Sequence, residues 1–396
     1  MESLVIVGAS LAGLSAARAA RDLGFDGRLV IIGDEPRRPY DRPPLSKDYL
    51  AGRLELADLA LEADTDALDA EWVLGARAVS FDAATRTVRL EDGRRVHADG
   101  LVVATGASPR SLPQIAGLDN VVSLRTVADA QRLRALLARG RRLVVVGAGF
   151  IGAEVASTAH ALGLQVTVLE KSPTPLCAPL GAQLGAAVAA LHERAGVELI
   201  CGADIEEFEV TGAAVTGVRL AGGRALPTDV VVVGIGAQPN TDWLEGSGVE
   251  LGNGVLCDAA GRTSVPGVVA VGDCAAWQLP GTGRHHRVEH WTGAAERPAV
   301  AVGALLGADP ATLPAVKPPY FWSDQYGTRL QFTGDASRGD RVVYEQGGPD
   351  EDTLLAVYYS GEEPVAVLAW NQTRLFCRWR KTLEKLAAAA AQPATV

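Results

Sequence analysis

The fold of this chain is decided by residues 4–13, LVIVGASLAG, in which a short apolar run leads directly into a glycine-containing turn. The apolar run has the composition of a buried β-strand, and residues 14–23, which are rich in Ala, Leu and Arg, favour a helix. A second β-branched run follows at residues 28–32. The order strand, glycine turn, helix and strand predicts a βαβ unit of the dinucleotide-binding type.

The glycine turn of such a unit suits a dinucleotide, because glycine lets the backbone approach a pyrophosphate and the helix start presents free N–H groups to it. An acid about 20 residues later can bind a ribose hydroxyl, and Asp34 and Glu35 both lie at that distance. Glycine-rich turns also occur in ordinary βα connections. Taken alone, the signal therefore leaves both interpretations open.

Residues 143–152, LVVVGAGFIG, repeat the same device and match the full G-x-G-x-x-G template. Glu170 follows the next predicted strand at the spacing of a ribose-binding acid. Two such fingerprints in one chain argue strongly against chance. An acid at this position favours NAD over NADP, although the neighbouring Lys171 keeps NADPH as an alternative.

The length and charge of the chain limit its class. Its 396 residues exceed what one core usually supports, so we expect two or three domains. A net charge of −10 argues against nucleic acid as the main partner. No apolar run approaches the length of about 18 residues that a membrane helix needs. The first predicted strand begins at Leu4 and leaves no room for a secretory leader, so we expect a cytoplasmic protein.

The five cysteines form no C-x-x-C pair and therefore indicate neither a metal site nor a redox disulfide. Among them, Cys274 is expected to be a small buried residue without a redox role. Asp273 beside it follows a predicted buried strand. It is either a helix cap or, in a flavoprotein, a group that binds a ribityl hydroxyl.

Residues 39–48, PYDRPPLSKD, do not have the composition of an ordinary loop. The prolines hold the chain extended and place Lys47 at the start of a predicted helix. Lys47 is then either a solvated surface cation or a cation delivered to a flavin ring, which gains negative charge on reduction. The sequence up to this point does not decide between the two.

These segments together resemble the FAD-dependent, NADH-using ferredoxin reductases that supply oxygenases and bacterial cytochromes P450, the group that includes rubredoxin and putidaredoxin reductases. The resemblance covers nearly the whole chain. Its most specific parts are residues 39–47 and the FWSDQ segment at residues 321–325. It also rests on the two glycine turns and on Ala104-Thr105-Gly106, Leu124-Arg125-Thr126, Gly272-Asp273 and Glu289-His290-Trp291.

The resemblance implies an α/β protein of the glutathione-reductase-like flavoprotein fold. Two Rossmann-like dinucleotide-binding domains would be followed by a mainly β C-terminal α+β domain. The implied FAD-binding domain is discontinuous, at residues 1–110 and 237–315. The NAD(P)H-binding domain, residues 111–236, is inserted into it, and residues 316–396 form the C-terminal domain.

The resemblance also implies the site residues. Those expected to line FAD are Ala12, Gly13, Asp34 or Glu35, Arg42, Lys47, Val79, Thr105, Arg125, Asp273 and Trp291, with Trp322 near the flavin ring. Gly149, Gly152 and Glu170 are expected to hold NADH. The further cofactor-binding candidates are Gly8, Ser10, Gly106, Gly147, Ile151, Gly236 and Glu289. The catalytic candidates are Lys47, placed beside flavin N5, and its partner Glu154; no metal is expected.

Two departures from the family pattern are visible. Ala178 stands where relatives often carry an Arg after the second acid, which leaves the choice between NADH and NADPH open. Gly293 replaces the Asn that commonly follows the Glu-His-Trp segment.

The leading functional hypothesis is electron transfer from NADH through FAD to a small acidic [2Fe-2S]-type ferredoxin that supplies a cytochrome P450 or another oxygenase. The docking candidates are Arg284, His285, His286, Arg287, Arg297, Lys317, Arg374, Arg378, Arg380 and Lys381.

A direct NADH oxidase is one alternative function. A disulfide, coenzyme A or peroxide reductase is disfavoured, because no cysteine precedes Cys177. A flavin-binding interaction protein resembling apoptosis-inducing factor is disfavoured by the acidic charge. The oligomeric state stays open.

Overall fold

The computed structural model describes residues 1–61, 66–279, 283–309 and 312–391. These residues form three five-stranded sheets, two parallel and one antiparallel, together with smaller antiparallel pairings. The expected α/β class, with two Rossmann-like units and a mainly β C-terminal part, is confirmed. Residues 392–396 of the predicted C-terminal domain lie outside the described residues.

The longer helices cover the faces of these sheets. They are α1 (Leu11–Asp22), α2 (Val127–Leu137), α3 (Phe150–Ala161), α4 (Cys177–Arg194), α5 (Trp291–Leu306) and α6 (Thr373–Ala391). Short helical turns lie at Pro43–Ser46, Leu56–Leu59, Asp66–Leu68, Asp242–Leu244, Gly272–Cys274 and Ala336–Arg338. No helix within the described ranges is long and apolar enough to cross a membrane.

The first parallel sheet contains the opening motif. Its strands are, in spatial order, Val268–Ala270, Gly100–Val103, Ser3–Val7, Arg28–Gly33 and Ala70–Leu74. Every residue of the central strand Ser3–Val7 is buried, which explains its continuous apolar run. Helices α1 and α5 pack against each other beside this sheet. The central strand Ser3–Val7 ends just before the glycine turn and the start of α1. Ligands of open parallel sheets bind at this carboxyl end of the strands.

The second parallel sheet contains the second motif. Its strands are, in spatial order, Glu198–Cys201, Gln165–Glu170, Arg142–Val146, Val230–Val233 and Val121–Val122. Helix α3 packs on two of these strands directly after the glycine turn. The two predicted βαβ units thus have the same local architecture.

An antiparallel strand pair joins the two parallel sheets. Strand Ala107–Pro109 pairs with Ala237–Pro239. The hydroxyl of Thr105 donates to the Asn240 carbonyl oxygen at 2.6 Å, and the Asn240 side-chain amide donates to the Thr105 carbonyl oxygen at 2.9 Å. The chain therefore leaves the first sheet and returns to it through neighbouring strands. The domain boundaries at residues 110 and 237 themselves stay a prediction.

The C-terminal sheet is antiparallel and is packed against α6. Its strands are, in spatial order, Tyr320–Gln325, Thr328–Gly334, Glu363–Trp370, Leu354–Ser360 and Arg341–Gly347. Smaller sheets contain Ala78–Asp82, Thr87–Leu90 and Arg95–His97, then Ile205–Thr211, Ala214–Leu220 and Ala225–Pro227, then Leu251–Gly252, Gly254–Cys257, Ala275–Gln278 and His285–His286. Strands Thr87–Leu90 and Arg95–His97 pair as an antiparallel hairpin around the Asp-Gly pair at residues 92–93, a pair that is typical of such turns.

The helix predicted to begin at Lys47 is wrong. Pro43–Ser46 is a single short helical turn, and Lys47 follows it at its C-terminal end. The physical reason is a set of tertiary contacts with helix α3. The Thr158 hydroxyl donates to the Ser46 carbonyl oxygen at 2.7 Å, and Ser46 and Lys47 both contact Glu154, so these groups bond to α3 and the turn is not extended. Lys47 is nevertheless delivered by a proline-stiffened segment, as the sequence suggested.

Candidate functional site

A cleft of about 250 Å³ lies where the opening motif, helix α3 and the C-terminal sheet meet. It brings together residues from distant parts of the chain, from Ser10 to Trp322. The predicted site residues that line it are Ser10, Ala12, Arg42, Lys47, Gly106, Arg125, Ile151, Glu154, Asp273, Glu289, Trp291 and Trp322. The cleft has polar side chains at the end near α1 and aromatic rings at the end near the C-terminal sheet.

The first glycine of each fingerprint is required by close packing. A Cβ atom on Gly8 would lie 1.9 Å from the Ala104 carbonyl oxygen, and one on Gly147 would lie 2.3 Å from the Gly234 carbonyl oxygen. Both glycines also have a positive φ, of 124° and 103°. These positions therefore let the turn pass close to the neighbouring strand end.

The starts of α1 and α3 fit the diphosphate of a dinucleotide. Their N-cap residues, Ser10 and Gly149, make no side-chain hydrogen bond to the first helical turn. By contrast, the N-terminus of α2 has a capping box, in which the side chains of Thr126 and Asp129 each accept the backbone N–H of the other residue. A Cβ atom on Gly149 would meet its nearest neighbour only at 3.8 Å, so internal packing does not require glycine there. Uncapped amides beside open space form a ready anion-binding site.

The acids after the two second strands are held differently. Glu35 accepts from the Arg42 guanidinium and from the Tyr40 hydroxyl, each at 2.6 Å, whereas Asp34 is exposed. Arg42 also donates to the Ser10 hydroxyl at 3.2 Å, which ties Glu35 to the first glycine turn. Burial raises the pKa of Tyr40, so its hydroxyl stays a donor.

In the second motif the link between acid and turn is direct. The Glu170 carboxylate accepts backbone N–H groups from Ala148, inside the glycine turn, and from Ser172, both at 2.8 Å. The acid thus lies at the edge of the turn that a dinucleotide would contact.

Lys47 and Glu154 form the ion pair that the resemblance implies. The Lys47 ammonium lies 2.7 Å from Glu154 Oε2, and the Glu154 side chain is only 3% exposed. Ser46 donates to the same oxygen at 2.6 Å, and Ser323 donates to Glu154 Oε1 at 2.7 Å. The sequence reasoning missed these two serines, although both lie in the segments that carried the resemblance.

A second ion pair lies at the polar end of the cleft. Arg125 contacts Asp273 at 2.7 Å, and Arg42 donates to the Arg125 carbonyl oxygen at 2.6 Å. Asp273 lies in the turn Gly272–Cys274 directly after a buried strand. Cys274 is fully buried, and burial raises the pKa of its thiol, which agrees with a packing role.

The aromatic end of the cleft contains a side chain that the sequence did not single out. Asp41 accepts from the Trp291 indole N–H at 2.8 Å, and burial raises the pKa of this carboxyl. Trp291 and Trp322 meet edge to face at 6.1 Å, and Trp291 is 37% exposed. Phe150, also missed, packs against Phe321 in a tilted arrangement, with the ring centroids 4.2 Å apart. Only the position of Asp41 within the PYDR segment could have indicated it.

Other predicted site residues lie outside the lining of the cleft. They are Gly8, Gly13, Asp34, Glu35, Val79, Thr105, Gly147, Gly149, Gly152, Glu170 and Gly236. Val79 belongs to the small sheet strand Ala78–Asp82. The roles of all these residues in cofactor binding stay predictions.

Two docking candidates are not surface cations. Arg287 is 8% exposed, and its guanidinium contacts Glu289 and the Asp273 carbonyl oxygen. Arg297 packs over the Trp277 ring at 4.4 Å, and burial lowers its pKa to about 10. A sequence pattern cannot distinguish such arginines from solvated ones, so their assignment to a docking surface is wrong.

Comparison with known proteins identifies the family. Residues 2–297 match the pyridine nucleotide-disulphide oxidoreductase family, and residues 320–395 match the reductase C-terminal family. The ferredoxin–NAD(+) reductase component of the biphenyl dioxygenase system of Paraburkholderia xenovorans is 37% identical over 378 residues, covering 95% of this chain and 91% of that protein. Putidaredoxin reductase of Pseudomonas putida is 34% identical over 380 residues, covering 94% and 89%.

A solved structure shows the same relationship. The crystal structure of the covalent putidaredoxin reductase–putidaredoxin complex matches with a TM-score of 0.92 at 33% identity, covering 97% of this chain and 93% of that chain. The resemblance seen in the sequence is confirmed, together with the oxidoreductase class and the cofactors FAD and NADH. The chain belongs to the pyridine nucleotide-disulphide oxidoreductases, in the group of ferredoxin–NAD(+) reductases that carry a reductase C-terminal domain.

Proposed function

We propose that this protein carries electrons from NADH through FAD to a small iron–sulfur ferredoxin that serves a cytochrome P450 or another oxygenase. The observation that carries the proposal is the Lys47–Glu154 pair, which lies in a cleft bordered by the opening motif and by helix α3 of the second motif. When bound, FAD supplies the conversion of two-electron into one-electron transfer. Relatives named as reductases of a biphenyl dioxygenase system and of putidaredoxin, of which the alignments cover 91% and 89%, support the assignment.

The chain's own residues have three tasks in this proposal. The uncapped start of α1 and Arg42 hold the FAD diphosphate, and Asp273 binds its ribityl chain. Lys47 places a positive charge beside the ring system, where charge develops on reduction. Glu154 neutralises and orients that ammonium group. The aromatic rings of Trp291 and Trp322 cover the other end of the cleft and limit access of water.

The second motif binds NADH in this proposal, with Gly149 beside its diphosphate and Glu170 on a ribose hydroxyl. Residues 111–236 then form the NADH-binding domain, and residues 1–110 with 237–315 form the FAD-binding domain. Glu170 supports NADH, because a carboxylate repels a 2′-phosphate. The expected cytoplasmic location likewise stays part of the proposal.

The acidic ferredoxin docks on α6 in this proposal. Arg374, Arg378 and Lys381 are all exposed, and their spacing places them on one face of the helix. The helix packs on the sheet that carries the aromatic end of the cleft, with Phe376 5.7 Å from Tyr320 and Arg380 4.3 Å above the same ring. A cationic stripe on this helix suits a transient partner of opposite charge.

Anaerobic rapid mixing of the FAD-loaded protein with NADH and, separately, with NADPH tests the first half of the proposal. We expect rapid bleaching of the flavin by NADH and slower bleaching by NADPH; a flavin that NADH does not bleach would refute the proposal. Oxygen consumption with and without a panel of ferredoxins tests the second half. An oxidase would consume oxygen equally fast without ferredoxin. No cysteine lines the described part of the cleft, which disfavours a disulfide reductase.

A further inference from the structure

The buried carboxylate of Glu154 accepts hydrogen bonds from two serine hydroxyls as well as from the Lys47 ammonium group, which balances its charge. Lys47 and Ser46 contact Oε2 at 2.7 and 2.6 Å, and Ser323 donates to Oε1 at 2.7 Å. A buried carboxylate oxygen that loses its donor must find another by rotating or by admitting water. Ser323 therefore restrains the oxygen that Lys47 does not contact.

Ser323 is itself held in place. It is fully buried in the strand Tyr320–Gln325, where it pairs in register with Leu330. The side-chain amide of the buried Gln325 donates to the Ser323 hydroxyl at 3.0 Å. A serine hydroxyl has a single proton, and since Ser323 accepts from Gln325, that proton is directed at Glu154. The alternation of side chains along a strand places both residues on the same face.

The donor comes from a distant part of the chain. Ser323 and Glu154 are separated by 169 positions, and their elements, the first strand of the C-terminal sheet and helix α3, pack against each other. The C-terminal sheet therefore contributes the Ser323 hydroxyl to the ion pair and, separately, the ring of Trp322 to the lining of the cleft.

We infer that Ser323, supported by Gln325, is a positioning residue that sets the orientation of Glu154 and thereby the place of the Lys47 ammonium group in the cleft. The inference deepens the proposed function and rests on it for its kinetic consequence. The positions of Ser323, Glu154 and Lys47 that it describes do not depend on a bound cofactor. It can therefore be tested with and without FAD.

Trace acetylation of amines, read by peptide mass spectrometry, measures the restraint on Lys47. The chain has only five lysines, and the exposed Lys171 serves as an internal reference. In the Ser323→Ala variant we expect the acetylation rate of Lys47, relative to Lys171, to rise about fivefold or more, in both FAD-free and FAD-loaded protein. An unchanged ratio would overturn the inference.

A matched control separates positioning from general loosening of the sheet. Thr333 is 1% exposed on the adjacent strand, and its hydroxyl has no partner among the described residues. We expect Thr333→Val, which removes a buried hydroxyl at constant shape, to leave the Lys47 ratio at the wild-type value. An equal rise in this control would also overturn the inference. If Ser323→Ala does not fold, Gln325→Met should give a smaller rise in the same direction, and no rise would contradict the inference.

The flavin supplies a second readout. In FAD-loaded Ser323→Ala we expect the limiting rate of flavin reduction by NADH to fall about tenfold at an unchanged apparent Kd, with a shifted flavin midpoint potential. If Ser323 had a purely structural role, the substitution would not shift the midpoint potential and would not lower the limiting rate while leaving the apparent Kd unchanged. If the acetylation ratio rises while flavin reduction is unchanged, the positioning by Ser323 stands and the proposed role of Lys47 fails.

Discussion

The Lys47–Glu154 pair shows at the scale of single residues why both partners are needed. The two groups lie 2.7 Å apart, with side-chain exposures of 15% and 3%. Removing one partner of a buried pair leaves an uncompensated charge, which costs about 3–5 kcal/mol. Stability and reactivity of the site are therefore coupled, and a single substitution cannot separate them.

A double variant can separate them. We expect Lys47→Ala to lower the free energy of unfolding by a few kcal/mol and to slow flavin reduction by NADH at least tenfold while FAD stays bound. Lys47→Ala combined with Glu154→Gln removes both charges and should regain most of the stability without regaining the rate. Denaturant titration and anaerobic stopped-flow measurements check the two parts. A double variant with the wild-type rate would remove Lys47 from the mechanism.

The glycines of the second motif differ in whether the surrounding structure leaves room for a side chain. Gly147→Ala should destabilise the fold by about 2–4 kcal/mol, because the new Cβ would meet the Gly234 carbonyl oxygen at 2.3 Å in a backbone with φ 103°. Gly149→Ala has room and should leave the melting temperature unchanged, while the Kd for NADH rises about tenfold or more. Thermal unfolding and NADH titration measure both effects. Unaltered NADH binding in Gly149→Ala would contradict the placement of the nucleotide.

At the scale of secondary-structure elements, α4 meets the C-terminal sheet through a buried histidine. His192 is fully buried and lies 2.8 Å from the Tyr326 hydroxyl, and its other ring nitrogen has no partner among the described residues. Burial lowers the pKa of His192 from 6.5 to about 4. The unfolded chain therefore binds a proton more readily than the folded one between these values.

This contact predicts a pH dependence of stability. The contribution of His192 is fully present above pH 6.5 and is lost as the pH falls toward about 4, by roughly 3 kcal/mol in total. His192→Gln removes the titration but keeps an acceptor for Tyr326. We expect urea unfolding of this variant to show a flatter stability profile between pH 6.5 and 4, with the remaining slope due in part to His290, whose pKa burial also lowers to about 4. An unchanged slope would contradict the assignment.

Helix α6 supports a prediction about the partner. We expect the triple charge reversal Arg374→Glu, Arg378→Glu and Lys381→Glu to slow ferredoxin reduction at least tenfold at low ionic strength, with flavin reduction by NADH unchanged. Reversal of Arg77, Arg89 and Arg95, which are exposed at the small sheet Ala78–His97, serves as a control of equal net charge. Equal effects of the two triple variants would show that net charge, and not α6, determines the rate.

At the scale of the whole molecule, the cleft is built from three regions of the chain and should link their stabilities. FAD bound between them stabilises the folded state by an amount that grows with the logarithm of its free concentration once that concentration exceeds Kd. We expect removal of FAD to lower the melting temperature and its return to raise it stepwise with concentration. In the FAD-loaded protein, the tryptophan fluorescence, to which Trp291 and Trp322 of the cleft contribute, should change in the same thermal transition as the far-ultraviolet circular dichroism. Separate transitions would show that the C-terminal sheet is not coupled to the cleft.

The sequence predicted those parts of the site that depend on local pattern. The two glycine turns, Glu170 and the strand before Asp273 follow from periodicity and spacing, because a βαβ unit is a local structure. The contacts of Ser323 and Asp41 could not be predicted, since each joins segments more than 160 positions apart. The helix at Lys47 and the surface positions of Arg287 and Arg297 failed for the same reason, because tertiary packing overrode local composition.

The three-way meeting at Glu154 has a consequence for the newly made polypeptide. The ammonium group belongs to Lys47, the carboxylate to Glu154, and the hydroxyl that donates to this carboxylate to Ser323. A nascent chain that has emerged only as far as the second nucleotide fold lacks the last of these. If Ser323 positions Glu154 as inferred, we therefore expect full reactivity toward NADH to appear only after the C-terminal sheet has folded.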